Sequence, residues 1–183
     1  MNIREYQVEA SRTCSDLGEK LNLAHMVLGI CSEEEELYRA FVKNDLVNIQ
    51  EEQADKFWYL ANYCNFRNYN LQELYEDMSN FEQEDWETET SVEIVHLSKL
   101  QDYVKKYIAY DKPIDRQQEK NSLKAIIWSI CETLYEQEIE LETILERNIA
   151  KLKARFSDKF TQEAALNRNL ELERKILEGN DSK

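Results

Sequence analysis

Few residues in this chain break helices or form turns. Its 183 residues include only 3 glycines and 1 proline, the two residue types that most often mark turns and interrupt helices. The chain therefore has few of the turn-forming residues that a strand-rich fold needs. Apolar residues instead recur at helical spacing among many Glu, Lys, Leu, Gln and Ala residues, so the sequence predicts an all-α fold.

Positive charge is also scarce. The chain has 23 Lys and Arg against 37 Asp and Glu, which gives a formal net charge of -14. Such a protein repels DNA, RNA and anionic membranes, so we expect no nucleic-acid or membrane partner. It would also repel a free nucleotide unless a metal ion reversed the local charge.

The cysteines show no metal-binding or redox spacing. Cys14, Cys31, Cys64 and Cys131 lie inside helical patterns without a CxxC pair, which is typical of reduced core cysteines. The sequence also has no apolar run long enough to span a bilayer and no signal-peptide pattern. Together these features predict a cytoplasmic protein.

The helical pattern divides the chain into an acidic first half and a second half. We treat residues 1–183 as one domain: an acidic half (1–77), a linker (78–91), and a second half with a C-terminal tail (92–183). The linker reads as a loop or marginal helix with Trp86 as a possible anchor. The expected helices cover about 4–17, 21–43, 47–65, a short stretch from 70, 92–110, 115–137, 141–155 and 161–177.

Two acidic pairs stand out in the first half. Glu33 with Glu36, and Glu52 with Asp55, are each spaced i, i+3, which puts both members on one face of a helix. On antiparallel neighbours the pairs would face each other, and four confined carboxylates need a cation to remain ionised. Oxygen ligands suit Mg²⁺, with Mn²⁺ possible. The competing interpretation is a solvated acidic face.

Periodicity alone gives a different register for the first pair. Glu34 falls in the middle of the apolar stripe of its helix, while Glu33 and Glu36 lie on the flank with Asn22 and Gly29. By this criterion Glu34 would be the buried acid. On the next helix one flank carries four polar side chains, those of Glu52, Asp55, Tyr59 and Asn62. These side chains either form part of a functional site or make a polar helix edge with a half-buried tyrosine.

The second half contains a degenerate copy of the first. Trp58 aligns with Trp128, and Ser32 aligns with Ser98. In this alignment Glu33, Glu52 and Asp55 are replaced by Lys99, Ser122 and Ala125, and only Asp102 stands where Glu36 does. The repeat predicts a four-helix-bundle core made of two helical hairpins, with flanking N- and C-terminal helices. The alternative is that any two amphipathic helices align somewhere.

Two motifs resemble one family of enzymes. The segment Ser32-Glu33-Glu34-Glu35-Glu36-Leu37, then Glu52-Gln53-Ala54-Asp55 with Trp58-Tyr59-Leu60, resembles the ExxE and ExxD signature of MazG-like nucleoside triphosphate pyrophosphohydrolases, which belong to the all-α NTP pyrophosphatases. The tail with Asn148 and Lys151 is also similar to theirs. The resemblance covers roughly residues 4–76 and 92–178. Glu34 and Glu35 depart from the family, which usually has small residues at those positions.

The resemblance implies a role for each site residue. Glu33, Glu36, Glu52 and Asp55 would bind Mg²⁺, and this assignment resolves the register conflict at Glu34. Glu33 or Glu36 would take the proton from water. The residues expected to contact the substrate are Tyr59, Asn148, Lys151 and Arg155. His25 and Asn22, beside the acidic helix, are further candidates for contact with the base, although a histidine such as His25 is more often a satisfied core residue.

The implied reaction is hydrolysis of the α–β phosphoanhydride of a nucleoside triphosphate to the monophosphate and pyrophosphate. Loss of the acids from the second copy implies one site per chain, in a monomeric pseudo-dimer or a homodimer. Two rival hypotheses are a catalytically weakened nucleotide-binding sensor or regulator, and a structural helical protein with a merely solvated acidic surface.

Overall fold

The computed structural model describes residues 1–78, 89–157 and 159–179, and these residues form helices joined by short connections. The helices are α1 (Ile3–Ser11), α2 (Glu19–Lys43), α3 (Leu46–Arg67), α4 (Leu71–Asp77), α5 (Glu89–Tyr110), α6 (Arg116–Glu136), α7 (Leu141–Phe156), α8 (Gln162–Leu166) and α9 (Leu170–Leu177). The all-α prediction is confirmed. None of the described helices combines the length and apolar character that a bilayer crossing requires.

The turn between α2 and α3 forms a tight helical hairpin. Asn44 ends α2 in the left-handed conformation, with φ of 53°, which asparagine tolerates better than most residues. Asp45 then starts α3 by accepting a hydrogen bond from the backbone N–H of Asn48. Because the connection is so short, α2 and α3 lie side by side, and their acidic pairs come to the same surface.

The first helix is shorter than the sequence predicted. It ends at Ser11 instead of continuing to residue 17. The following loop has its own hydrogen bonds: Asp16 accepts from the backbone N–H of Gly18 at 3.0 Å and from the Asn22 side chain at 2.8 Å. Side-chain bonds of this kind compete with the helical pattern, and the apolar spacing gave no sign of them.

The C-terminal helix is two helices, and the prediction of one continuous helix was wrong. Thr161 caps α8 by accepting from the N–H of Ala164. Asn169 then caps α9 by accepting from the N–H of Leu172. The chain is non-helical between them, and Arg168 lies in that break.

The predicted linker largely falls outside the described residues, and so does Trp86. Its last residues are helical, because α5 begins at Glu89 and not at Val92. The sequence allowed a loop or a marginal helix over the linker, so the correction concerns only the start of α5, which lies before the predicted Val92.

The long helices pack as two pairs that also contact each other. α2 packs on α3, α5 on α6, α2 on α5, and α3 on α6, while α1 and α7 lie against α3. One buried apolar cluster draws on both halves of the chain and includes Tyr6, Leu23, Phe57, Leu60, Leu100, Leu123, Ile126 and Leu145. This packing places α2, α3, α7 and the tail around a common cavity.

Candidate functional site

A cavity of about 420 Å³ lies between the α2–α3 hairpin, α7 and the C-terminal tail. Acidic side chains come from the hairpin, whereas the tail and the end of α7 add aromatic and basic ones. The lining residues are Thr13, His25, Glu33, Glu36, Asn48, Glu51, Glu52, Asp55, Trp58, Tyr59, Leu152, Arg155, Phe156, Phe160, Ala165 and Arg168. The volume is in the range of small-molecule sites.

Three of the four predicted metal-binding carboxylates meet in this cavity. Glu33 and Glu36 on α2 and Glu52 on α3 each offer an oxygen, and these oxygens lie within 4.8 Å of one another. In the described parts of the chain, no other group of three possible metal ligands lies so close. Glu52 is buried and Glu36 is exposed, so the cluster spans from the floor of the cavity to its rim.

The crowding of these acids changes their proton affinity. Burial, followed by the negative charges of Asp55 and Glu51, raises the pKa of Glu52 to about 9. Burial and the charge of Asp55 raise the pKa of Glu33 to about 7. Without a cation these carboxyl groups hold protons near neutral pH, because close carboxylates cannot all ionise. A divalent cation would take the place of those protons.

Asp55 lines the cavity but lies outside the group of three glutamates. Its carboxylate accepts two hydrogen bonds from Lys151 Nζ, at 2.8 and 2.6 Å, and one from Asn148 Nδ2 at 2.5 Å. Lys151 and Asn148 are both fully buried, and Lys151 also contacts Glu51 at 3.1 Å. Burial alone would lower the pKa of Lys151, but the charges of Asp55 and Glu51 raise it. Lys151 and Asn148 therefore hold Asp55 and do not line the cavity.

Tyr59 depends on Gly29 for its position. A Cβ at Gly29 would lie 2.2 Å from Cε1 of the Tyr59 ring, so the ring occupies space that any other residue would fill. Tyr59 also contacts Trp58 and His25 edge to face, with ring centroids 5.0 and 5.9 Å away. Burial, then the charges of Glu33 and its neighbours, raise the Tyr59 pKa far above its usual value. The phenol is therefore a neutral donor beside the acids.

The remaining predicted substrate residues lie in different places. Arg155 lines the cavity and is paired with Glu173 of α9. His25 also lines it; its Nδ1 atom is buried without a partner among the described residues, and burial lowers the histidine pKa. Asn22 lies outside the lining and accepts from the backbone N–H of Leu17 at 2.7 Å, so it stabilises the α1–α2 loop.

Sequence reasoning missed several residues of the cavity. Glu51 directly precedes Glu52, and this adjacency was a usable signal. Arg168 is flanked by Asn167 and Asn169, both common in turns and caps, so a break in the tail could have been inferred. Nothing in the sequence pattern indicated that Phe160 lies at the cavity.

Glu34, which lies between Glu33 and Glu36 in the sequence, has a structural partner. Its carboxylate pairs with Lys56, a lysine on α3 with no exposed surface. Lys56 also contacts Glu93 of α5 at 2.5 Å, and Ser129 of α6 donates to Glu93 at 2.9 Å. This buried network joins α2 and α3 to α5 and α6, directly beside Glu33.

Among the described residues of the second half, no group of acids like that of Glu33, Glu36 and Glu52 is present. Asp102, which aligns with Glu36, pairs with Lys105 at 2.7 Å and with Lys106 on its own helix. Ser122 and Ala125, which align with the acids of α3, are buried. The residues present therefore fit a single hard cation site made from the oxygens of Glu33, Glu36 and Glu52.

Comparisons with known proteins give no neighbour for this chain. Neither a scan against protein-family models nor searches of curated proteins and of solved structures found a match. The function is therefore inferred from the site itself and from the motifs in the sequence.

Proposed function

We propose that this protein is a Mg²⁺-dependent hydrolase of the MazG-like kind, which splits the α–β phosphoanhydride of (deoxy)nucleoside triphosphates into the monophosphate and pyrophosphate. One observation supports it above the others: Glu33, Glu36 and Glu52 converge in a cavity that also contains arginine side chains. A site with acids on one wall and guanidinium groups on another suits a polyanion that binds together with a cation.

The carboxylates of Glu33, Glu36 and Glu52 would hold Mg²⁺, or Mn²⁺ in its place. The bound ion would supply charge neutralisation for the phosphate oxygens. Asp55 was expected to be a fourth ligand. We propose instead that it supports the site from beside the three glutamates, with its orientation fixed by Lys151 and Asn148. This is a supporting role of the kind that carboxylate partners play around metal sites.

A carboxylate of α2 would activate the attacking water. Glu33 or Glu36 would accept the proton from the attacking water, because both border the cavity and lie beside the proposed cation. Arg155 would stabilise negative charge on the phosphate oxygens. Tyr59, held against Gly29, and His25 form the wall where the nucleoside would lie.

We also propose that α2, α3, α5 and α6 form the predicted four-helix bundle of two related hairpins. The contacts of α2 with α5 and of α3 with α6 support this arrangement. The second hairpin would then stand in for a partner subunit and supply a wall without acids. One site per chain follows, in a monomeric pseudo-dimer or a homodimer.

The experiment is a screen of canonical and modified nucleoside triphosphates for pyrophosphate release with Mg²⁺. Glu36→Ala should lower release by roughly a hundred-fold or more, because losing even a residue that only supports a metal ligand costs roughly ten- to a hundred-fold. Because Glu36 is exposed, its removal should not unfold the protein. Glu35→Ala is the matched control, since Glu35 is exposed on the same helix and pairs with Arg39. Equal release from both variants would remove the acid cluster from the mechanism.

A second candidate function is a nucleotide-binding sensor or regulator of the same fold. It is favoured by the hydrogen bonds that Asp55 makes with Lys151 and Asn148, which leave three carboxylates where the family motif has four. A sensor would bind a nucleoside triphosphate in the presence of Mg²⁺ without releasing pyrophosphate. Binding without turnover across the whole screen would favour this function over the hydrolase.

A further inference from the structure

Two arginines of the cavity share one buried carboxylate. Glu173 of α9 accepts from Arg155 at 3.0 Å (Nε) and 2.5 Å (Nη2), and from Arg168 at 3.2 Å (Nε) and 2.7 Å (Nη2). Glu173 is only 3% exposed. The positive charges of the two guanidinium groups, acting against burial, lower its pKa. Glu173 is therefore a fixed anion that orients both arginines.

The tail is anchored so that this cluster faces the cavity. Next to Glu173, Arg174 contacts Asp45 at 3.1 Å and Asn48 at 2.8 Å, at the α2–α3 turn. The break between α8 and α9 turns Arg168 towards the acidic wall, where it approaches Glu51 at 4.0 Å. The basic cluster and the acidic cluster thus line the same cavity from different elements of the chain.

The arginines keep binding capacity beyond Glu173. The two guanidinium groups share one carboxylate at hydrogen-bond distance, whereas Glu51 approaches Arg168 only to 4.0 Å. Each guanidinium carries five N–H donors, and the bonds to Glu173 use only the Nε and Nη2 atoms. Within the described part of the chain, Nη1 of neither Arg155 nor Arg168 has a hydrogen-bond partner. Arg168 is 41% exposed, so a ligand in the cavity can reach it.

We propose that Arg168 joins Arg155, which is already assigned to the phosphate oxygens, in one anion subsite for a phosphate group of a polyphosphate ligand, and that Glu173 is the positioning residue of this subsite. The ligand's other phosphates would lie towards Glu33, Glu36 and Glu52. Paired guanidinium groups suit this task because their planar N–H donors match phosphate oxygens. The inference deepens the proposed function and rests on it for the choice of ligand, but it adds Arg168 and Glu173 to the site.

The test is calorimetric titration of sodium tripolyphosphate into the full chain with Mg²⁺ present. Arg168→Ala should weaken binding roughly ten- to a hundred-fold, which is the usual effect of losing a charge-assisted hydrogen bond. Lys175→Ala is the matched control, because Lys175 is exposed on α9 and its loss changes the net charge equally. Equal affinity in these two variants, or no binding of tripolyphosphate to the wild type, would overturn the subsite.

A double-mutant cycle tests the positioning role. Glu173→Gln should weaken tripolyphosphate binding, and Arg168→Ala should then cost much less in the Glu173→Gln background, because Arg168 is no longer held in place. Glu171→Gln, an exposed acid on the same helix, is the control. Additive effects of the two changes on the binding free energy would overturn the positioning role of Glu173, because the effects of mutating residues that do not interact are additive.

This test is independent of turnover. Tripolyphosphate carries no base or sugar. Weaker tripolyphosphate binding by Arg168→Ala would therefore support the subsite even if no nucleoside triphosphate is hydrolysed. Repeating the titration with a nucleoside triphosphate shows whether the nucleoside adds affinity, which distinguishes a nucleotide site from one for inorganic polyphosphate. Failure of the proposed function would instead appear as absent pyrophosphate release with the subsite intact.

Discussion

Lys56 is a fully buried lysine whose partners are two carboxylates from other helices. Replacing it with methionine keeps an unbranched chain but removes the charge, which leaves Glu34 and Glu93 without their cation. Glu93 is 4% exposed, and burial raises its pKa to about 7 even with Lys56 present. At about pH 8 the variant must therefore either bury an unpaired carboxylate or bind a proton against the bulk pH.

The expected loss of stability is large. Removing one partner of a buried ion pair costs about 3–5 kcal/mol, and for a chain of this size 1 kcal/mol lowers the melting temperature by roughly 2–4 °C. Lys56→Met should therefore lower the free energy of unfolding by about 3–5 kcal/mol in urea titration. The melting temperature should fall by roughly 6–20 °C.

Two further variants check the cause. Lys105→Met removes a lysine that is 67% exposed and paired with Asp102, so it should change stability by less than about 1 kcal/mol. Glu93→Gln added to Lys56→Met should restore part of the loss, because it removes the buried charge. A loss below about 1 kcal/mol in Lys56→Met would refute the view that this network joins the two halves.

Two more predictions concern the cavity itself. Gly29→Ala should displace Tyr59, since the new Cβ would lie 2.2 Å from its ring. The variant should bind nucleotide more weakly but bind Mg²⁺ as before. Unchanged nucleotide affinity would contradict the proposal that Tyr59 contacts the nucleoside. In metal-free protein, stability should fall as pH rises from about 5 to about 9, because the folded state holds a proton on Glu52 that the unfolded chain releases near its usual pKa. Thermal melts with EDTA should show this fall in the wild type and a smaller one in Glu52→Gln; identical profiles would contradict the burial of that carboxyl.

The parts of the site that the sequence could predict depend on local spacing. Glu33 and Glu36 are one turn apart on a single helix, and a short turn at Asn44 brings Glu52 on the next helix beside them. Each step uses neighbours in the sequence, so spacing and turn chemistry could predict that the acids of the two helices meet. Periodicity favoured Glu34 as the buried acid, and the family resemblance selected Glu33 and Glu36. The spacing also placed Asp55 with these acids, whereas the structure groups only Glu33, Glu36 and Glu52.

The contacts that the sequence could not reveal join residues far apart in the chain. Asp55 is held by Lys151 of α7 and Glu34 by Lys56 of α3, and which helices pack together decides both pairs. Periodicity marked Glu34 as facing the interior, and the structure shows why: a buried lysine lies there. The tail was misjudged because capping by Asn169 outweighed a continuous helical pattern.

The metal centre is tested most directly by calorimetric titration of Mn²⁺ into metal-free protein at about pH 8, with Mn²⁺ standing in for Mg²⁺. We expect saturable binding to the wild type and to Glu35→Gln, and loss of that binding in Glu36→Gln and Glu52→Gln. Equal Mn²⁺ binding by all four proteins, or none by the wild type, would contradict the claim that Glu33, Glu36 and Glu52 form a metal centre.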